Sequence, residues 1–388
     1  MRDSSDAIVI ASAVRTPMGG FQGALKHMST VNLGAVAIAE AVSRAGIAAS
    51  DVDEVIMGCV LPAGLGQAPA RQATLEAGLP MGTPCSTLNK MCGSGMKAIM
   101  VANDLVSAGS AGMVIAGGME SMSNAPYLLE RARSGYRFGH DRIIDHMLLD
   151  GLEDAYDRGR SMGTFAEDAA QHFQFTREAQ DAYALASLER AMKATTEGRF
   201  RNEIVAAGNV VDDEQPARAR PEKIPHLKPA FRESGTVTAA NSSSISDGAA
   251  AVVVTRRSTA EKNGLTPLAT IVGHATHAQE PAWFTTAPVF AMRKLLERIG
   301  WRAADVDLFE INEAFAVVAM AAMRELDLPH EKVNVNGGAC ALGHPIGCSG
   351  ARIVVTLLSA LRERGQKRGV ASLCIGGGEA TALAIELI

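Results

Sequence analysis

Ala37-Ile38-Ala39-Glu40-Ala41-Val42-Ser43-Arg44-Ala45-Gly46 runs parallel, at an offset of 254 residues, to Ala291-Met292-Arg293-Lys294-Leu295-Leu296-Glu297-Arg298-Ile299-Gly300. The parallel continues without a gap: Ala49-Ser50-Asp51-Val52-Asp53 faces Ala303-Ala304-Asp305-Val306-Asp307, and each leads into an apolar run, Val55-Ile56-Met57 and Leu308-Phe309-Glu310-Ile311. Seven of the 22 aligned positions agree, where chance gives about two in a chain this rich in alanine. Two further segments repeat in the same order. Cys92-Gly93-Ser94-Gly95 precedes a helical pattern of Met96, Ile99, Ala102, Leu105 and Val106, and Cys348-Ser349-Gly350 precedes Ile353, Leu357 and Leu361. Gly109 and Gly365 mark the two helix ends, and strand-like runs follow: Met113-Val114-Ile115-Ala116 before Gly117-Gly118-Met119-Glu120, and Ala371-Ser372-Leu373-Cys374-Ile375 before Gly376-Gly377-Gly378-Glu379. Helix, strand, glycine loop, helix, strand thus occurs twice. Each half reads as a βαβ-type unit whose apolar strands need cover on both faces, and two such halves supply it by packing together in layers.

Composition agrees with an α/β fold of large cores. Of 388 residues, 47 % are hydrophobic, 4 % aromatic and 20 % charged, and 38 are glycine, so cores of Ala, Val, Ile and Leu with many tight turns are expected. A single small domain is excluded by length. No stretch approaches the roughly 18 to 20 apolar residues of a membrane span. A net charge of −5 provides no basic field for nucleic acid. The start, Met1 to Ile10, carries acid ahead of a short apolar run, which reads as a first strand in a cytoplasmic protein and neither a secretory nor a transit segment. Six sparse cysteines, Cys59, Cys85, Cys92, Cys340, Cys348 and Cys374, favour neither a disulfide scaffold nor a zinc ribbon.

Between the halves the composition changes to charged helices, with Thr176 as an N-cap and Gly198 as a stop, and to a Pro/Arg/Lys-rich stretch, Pro216 to Pro229, expected to be extended. The boundaries expected are 1–122 plus 241–266 for the first half, 123–240 for an inserted loop domain, and 267–388 for the second half.

Cys92 stands where a helix begins, and unpaired N–H groups with the positive end of the helix dipole favour a thiolate there. Gly93 and Gly95 would let a substrate carbonyl approach the backbone. Free cysteine is more often buried and inert. The second half shifts that balance, because Gly343-His344-Pro345-Ile346-Gly347 offers an imidazole ahead of the corresponding helix, making a Cys–His pair from facing loops available. Cys374 should stand at the carboxyl end of a strand, where α/β sheets place ligands, or fill the core. Asn312, between the strand ending at Ile311 and the next helix, reads on its own as a helix N-cap.

Asn89-Lys90-Met91-Cys92-Gly93-Ser94-Gly95, Gly117-Gly118-Met119-Glu120-Ser121-Met122-Ser123, Asn312-Glu313-Ala314-Phe315-Ala316, Gly343-His344-Pro345-Ile346-Gly347 and Cys374-Ile375-Gly376-Gly377-Gly378 together resemble the thiolase family, in its acetyl-CoA acetyltransferase (acetoacetyl-CoA thiolase) branch, over nearly the whole chain. The resemblance implies the thiolase fold, duplicated α/β halves in a layered αβαβα arrangement with an inserted loop domain that binds CoA. It also implies reversible Claisen condensation of two acetyl-CoA to acetoacetyl-CoA and CoA, or the reverse thiolysis, by a ping-pong mechanism. Cys92 would be acylated, His344 would take its proton and help hold the thioester oxyanion with a water oriented by Asn312, and Cys374 would act as acid and base on the α-carbon. The N–H groups of Cys92 and Gly376 would form a second oxyanion site. No metal or redox cofactor is implied, since a thioester activates both its carbonyl and its α-carbon.

By the same resemblance Ser243 meets the pantetheine, Phe315 lies at the substrate, and Arg218, Arg220, Lys223 or Lys228 could meet the CoA phosphates, although a solvated loop is the ordinary fate of such residues. Met162 and Phe284 would shorten the acyl pocket, or simply pack; Ser161 departs from the His common in the family. Cys348 and Glu379 also depart from the commoner pattern and carry no assigned role. The implied partners are acetyl-CoA, acetoacetyl-CoA and CoA, in a homo-oligomer, dimer or tetramer, of fatty acid metabolism. A broad-range 3-ketoacyl-CoA thiolase and, more distantly, a noncatalytic acyl-CoA-binding relative are the alternatives. A nucleotide-dependent oxidoreductase is disfavoured because no Gly-x-Gly-x-x-Gly follows the first strand.

Overall fold

The computed structural model describes residues 6–388. The expectation for the amino end therefore partly lies outside the described residues; within them the first strand is Ile8–Arg15, buried along its whole length.

The repeated passage folds the same way twice. The helices Thr30–Ala45 and Ala287–Ile299 end on Gly46 and Gly300, at φ 70° and 71°, a left-handed conformation that glycine adopts without steric cost. Single 3₁₀ turns follow, Ala49–Asp51 and Ala303–Asp305. In each the aspartate accepts a backbone N–H from three residues earlier, Ala48 to Asp51 at 3.1 Å and Arg302 to Asp305 at 2.9 Å. The chain then enters the strands Glu54–Gly58 and Leu308–Ile311. The second pair of helices, Ser94–Ala108 and Ser349–Arg364, likewise ends on left-handed Gly109 and Gly365.

The strand order is Cys85–Leu88, Glu54–Gly58, Met113–Ser121, Ser246–Arg256, Ile8–Arg15, Ala269–Ala278, Glu379–Leu387, Arg368–Ile375, Leu308–Ile311. Read from either end, parallel strands give way to an antiparallel partner, Met113–Ser121 to Ser246–Arg256 and Arg368–Ile375 to Glu379–Leu387. Within the sheet the two halves pair at Val9 with Thr270 and at Ile10 with Ala269. The counterpart of the edge strand Cys85–Leu88 is reduced in the second half to one parallel bridge, Phe309 with Val333.

Layering follows from which faces are apolar. Met96, Ile99, Ala102 and Val106 share one buried cluster with Ile353, Leu357 and Leu361 and with strand residues of both halves, so Ser94–Ala108 and Ser349–Arg364 form the middle layer. The helix Thr30–Ala45 covers the outer face of the first half through Leu33, Ala37, Ile38 and Ala41. Ala287–Ile299 and Ala316–Leu326 cover the second. A buried side chain such as Ile99 or Leu357 contributes about 1.5 to 3 kcal/mol by leaving water, and the middle layer collects this on every face.

Two sequence expectations are corrected. Pro216 to Pro229 is not an extended run: it holds a helical turn ending at Arg218 and a 3₁₀ segment, Pro221–His226, because proline at the first positions of a turn is preset for it. Asn312 is not a helix cap, since the helix begins at Ala316 behind Phe315. By contrast Thr176 does cap Arg177–Thr196, accepting the Ala179 N–H at 3.2 Å, and Gly198 turns left-handed at φ 71° just past its end.

Candidate active site

The middle-layer helices meet at their amino ends. A Cβ on Gly95 would lie 2.8 Å from the Ala351 nitrogen, and one on Gly350 would overlap the Met96 backbone. These glycines, and Gly93 against Ile375, are therefore spent on close packing; the expectation that Gly93 and Gly95 open the backbone to substrate is corrected. The same crossing brings together the loops that precede the two helices. Ile346, two residues past His344, shares a buried cluster with Met91 and Cys92.

Cys92 lies one residue ahead of the Gly93 cap, after a Met91 held at φ 47°. The backbone N–H groups of Cys92 itself and of Gly376 favour the thiolate, but burial outweighs both and pushes the thiol up to about 11. The helix start thus does not make a resting thiolate, contrary to the sequence expectation, and a base is required. Cys374, next to last in Arg368–Ile375 and 1 % exposed, is held well above the usual thiol range by burial, and lies close enough to Cys92 for charge there to push it higher.

His344 is brought to the same side by the loop ahead of Ser349–Arg364. Its Nδ1 is 2.5 Å from the Ser349 hydroxyl, which donates to the Pro345 carbonyl at 2.9 Å. One hydroxyl proton cannot serve both, so with it directed at Pro345 the oxygen accepts Nδ1–H and leaves the Nε2 lone pair free. Burial and the nearby Arg352 guanidinium lower His344 to about 3, so the ring is neutral at neutral pH. Asn312 follows the neighbouring strand, its N–H on the Ser372 carbonyl at 3.0 Å. Its amide nitrogen is 3.5 Å from both ring nitrogens of His344, and its buried Oδ1 has no protein partner among the described residues.

Met162 opens the helix Met162–His172, where Ser161 is the N-cap. The Met162 methyl would lie 3.5 Å from a Cβ on Gly376. Phe284 stands edge-on to Phe165 with centroids 6.2 Å apart, and Phe315 edge-on to Phe231 at 5.8 Å; Phe284, Phe315 and Cys374 belong to one cluster, against which Met162 packs. Ser243 donates its N–H to the Ala314 carbonyl at 2.9 Å, which ties it beside Phe315. Arg218, Arg220 and Lys223 line a cavity of about 310 Å³ with Ser244, Cys340 and Leu227. Arg218 is already paired with Glu214 at 2.6 Å.

Sequence reasoning missed three groups. Glu120, fully buried at the end of an apolar strand, accepts the N–H groups of Val60, Leu61 and Gly347 at 2.9, 3.2 and 2.9 Å, and burial raises it to about 7. A lone acid within a buried strand was the available signal. Glu313 is buried among Tyr183, Ser187, Asn334 and the Cys340 N–H. Ser349 gave no local signal, because its partner is set by how the loop turns. Among the described residues no three or more His, Cys, Asp or Glu gather to hold a metal ion, and no helix is long and apolar enough to cross a membrane.

The family description "Thiolase, N-terminal domain" matches residues 8–258 and "Thiolase, C-terminal domain" matches residues 265–387. Acetyl-CoA acetyltransferase 2 of Arabidopsis thaliana is 50 % identical over 98 % of this chain and 97 % of its own. The acetyl-CoA acetyltransferase of Cupriavidus necator is 48 % identical over 98 % and 99 %. The crystal structure of Acat5 thiolase from Ascaris suum in complex with coenzyme A superposes with a TM-score of 0.94 at 42 % identity, covering 98 % of this chain and all of that one. Duplicated α/β halves with cysteines and a histidine at their meeting point define an acyltransferase. The chain belongs to the thiolase family.

Proposed function

We infer that the protein is an acetyl-CoA C-acetyltransferase, joining two acetyl-CoA into acetoacetyl-CoA and CoA or running the reverse thiolysis. The single observation that carries the reading is that Cys92, with the Gly376 N–H and the Cys374 thiol beside it, packs against Ile346 of the loop that holds His344 next to Asn312.

In the first half-reaction His344 Nε2 takes the Cys92 proton as the sulfur attacks the thioester carbonyl. Two neutral partners become an ion pair only while charge moves onto the carbonyl oxygen, so the oxyanion and the imidazolium form together. Nε2–H then faces that oxygen, and the Asn312 amide orients a water toward it. Collapse expels CoA, whose sulfur takes the Cys374 proton as it leaves, so acetyl sits on Cys92, the Cys92 proton stays on His344, and Cys374 is left as a thiolate. The acyl oxygen then takes the N–H groups of Cys92 and Gly376. In the second half-reaction Cys374 removes a proton from the methyl of a second acetyl-CoA, whose enolate oxygen takes the His344 and Asn312 site. The carbanion attacks the acetyl carbonyl, and Cys92 leaves as thiolate and recovers its proton from His344, while the α-proton restores the Cys374 thiol. A thiol far above its usual range is a strong base once ionised, which suits it to a carbon acid.

Met162 beside Gly376, and Phe284 in the cluster that holds Cys374, restrict the acyl group to short chains, which favours acetyl over the long chains of a broad-range 3-ketoacyl-CoA thiolase. Ser243 meets the pantetheine, Phe315 flanks it, and Arg220 and Lys223, with Arg218 if it leaves Glu214, meet CoA phosphates. The chemistry calls for no metal or redox cofactor. The enzyme works in the cytoplasm as a homo-oligomer, dimer or tetramer.

Acetoacetyl-CoA cleavage with free CoA tests the reading directly. Turnover should exceed that of a long-chain 3-ketoacyl-CoA, and the opposite ranking would overturn the short-chain assignment. Incubation with acetyl-CoA should add one acetyl group to the wild type and none to Cys92→Ala; full acetylation of that variant would overturn the nucleophile.

A further inference from the structure

The Cys92 loop and the triple-glycine turn come from opposite halves of the chain, yet the acyl-transfer reading needs them registered to within a hydrogen bond. Neither supplies that register by itself. The turn Ile375 to Glu379 consists of three glycines, two of them at φ 89°, with no side chain to anchor its tip; its ends pair as Ile375 with Glu379. The loop is the stiffer partner. Lys90 N–H is bound to the Ser94 hydroxyl at 2.8 Å, the Lys90 carbonyl accepts Gly93 N–H at 3.0 Å, and Ser94 Oγ reaches the Met91 carbonyl at 2.6 Å. Cys92 sits inside this closed loop, so wherever Lys90 is fixed, Cys92 is fixed with it.

Lys90 Nζ is ion-paired with Glu379, across 289 residues of sequence. We propose that this ion pair is a clasp between the two catalytic loops, a positioning pair that seats the Cys92 sulfur on the Gly376 N–H. Lys90 is two residues from Cys92 on one side, and Glu379 three from Gly376 on the other, with Gly93 pressed on Ile375 between them. The two side chains are 22 % and 34 % exposed, so the pair is partly withdrawn from water and less screened than one on the open surface. Neither residue touches the reacting atoms. Both act through the position of one N–H group, which is one of the two that oppose the burial of the Cys92 thiol. The purpose of the clasp rests on the acyl-transfer reading, but its physical content is the ionisation of Cys92.

The test is a double-mutant cycle on the full-length protein, with Lys90→Met, Glu379→Met and the double variant. At about pH 9 the thiol is below its midpoint, so its alkylation rate by iodoacetamide follows the thiolate fraction. Each single variant should alkylate Cys92 about three- to tenfold more slowly, and the double variant should be no slower than the worse single, the signature of two residues acting through one contact. Rates within twofold of wild type in both singles would overturn the clasp, as would a double variant whose loss is the product of the single losses. The alkylation needs no acyl donor. A wild type that alkylates normally yet takes no acetyl from acetyl-CoA would sink the proposed function, while the clasp would still stand or fall on the alkylation rates of the variants.

Discussion

Ser349→Ala removes the only protein oxygen within reach of His344 Nδ1 among the described residues, at 2.5 Å, from a pair in which Ser349 is wholly buried and His344 6 % exposed. The hydroxyl cannot be replaced by bulk water at that depth, so an Nδ1–H is left buried without a partner. Such a group costs about 1 to 3 kcal/mol, with the upper part of the range for a charged donor. The imidazole becomes charged only as Cys92 is deprotonated, so most of the cost falls on the transition state. At about 1.4 kcal/mol per decade, a loss of 1.5 to 3 kcal/mol slows acetyl-enzyme formation roughly 10- to 150-fold. Single-turnover release of CoA from acetyl-CoA reads that step. KM should change little, because Ser349 does not line the cavity around Arg218 and Lys223. Alkylation of Cys92 near pH 11, where ionisation needs no base, should match wild type and show that the loop is intact. An acylation rate within twofold of wild type would refute the role given to the hydroxyl and with it the assignment of the free lone pair to Nε2.

With the thiol raised to about 11, alkylation of free Cys92 should climb about tenfold per pH unit from neutrality toward about pH 10; a plateau below about pH 8 would mean that a thiolate is already present. His344 is lowered from 6.5 to about 3, so its burial as a neutral ring contributes stability that is complete above the unfolded value and is lost as pH falls toward the folded one. At pH 5 the loss is about 2 kcal/mol, and His344→Asn should show a correspondingly weaker fall in melting temperature between pH 8 and 5; parallel curves would count against the neutral ring. Gly350→Ala should destabilise by about 1 to 3 kcal/mol through overlap with Met96, seen as a lower denaturant midpoint, and an unchanged midpoint would deny the tight crossing. Met162→Ala should raise kcat/KM for a five- or six-carbon 3-ketoacyl-CoA relative to acetoacetyl-CoA, and an unchanged ratio would remove Met162 from the acyl pocket.

What could be read from the chain alone was what short range decides. Gly109 and Gly365 announce helix ends because a left-handed residue is a local requirement, and the passage repeated around Gly46 and Gly300, Asp51 and Asp305 proves to hold the same helix end and the same turn twice. The duplication was legible for the same reason: each half solves the same local problems with the same residues. Errors arose where a local preference met a distant neighbour. Gly93 and Gly95 advertise open backbone, and only the other half of the molecule, pressing Ile375 and Ala351 against them, shows that the space is taken. Asn312 has the chemistry of a cap, but the chain continues extended through it, and its amide is turned to His344. Ionisation of Cys92 was misjudged because a helix start is visible in sequence and the depth of burial is not.

The same division explains why a duplicated fold suits this chemistry. Each half brings a loop to the amino end of one middle helix, and the close crossing of those helices at Gly95 and Gly350 places the two loops against each other. The halves have diverged in what they deliver, a thiol at Cys92 from one and an imidazole at His344 from the other. Divergence leaves the register between them to side chains that no repeat can supply. Glu120 answers one part of it, tying the first half's Val60 and Leu61 to Gly347 in the His344 loop through three N–H groups. That carboxyl is raised to about 7, so ionisation near neutrality strengthens its hold on the N–H groups while burial opposes it. Glu120→Gln would keep the shape and lose the charge on the acceptor, and acylation should fall because the amide carbonyl can serve fewer of the three donors. An acylation rate and pH profile equal to wild type would show that the loops are held by packing alone.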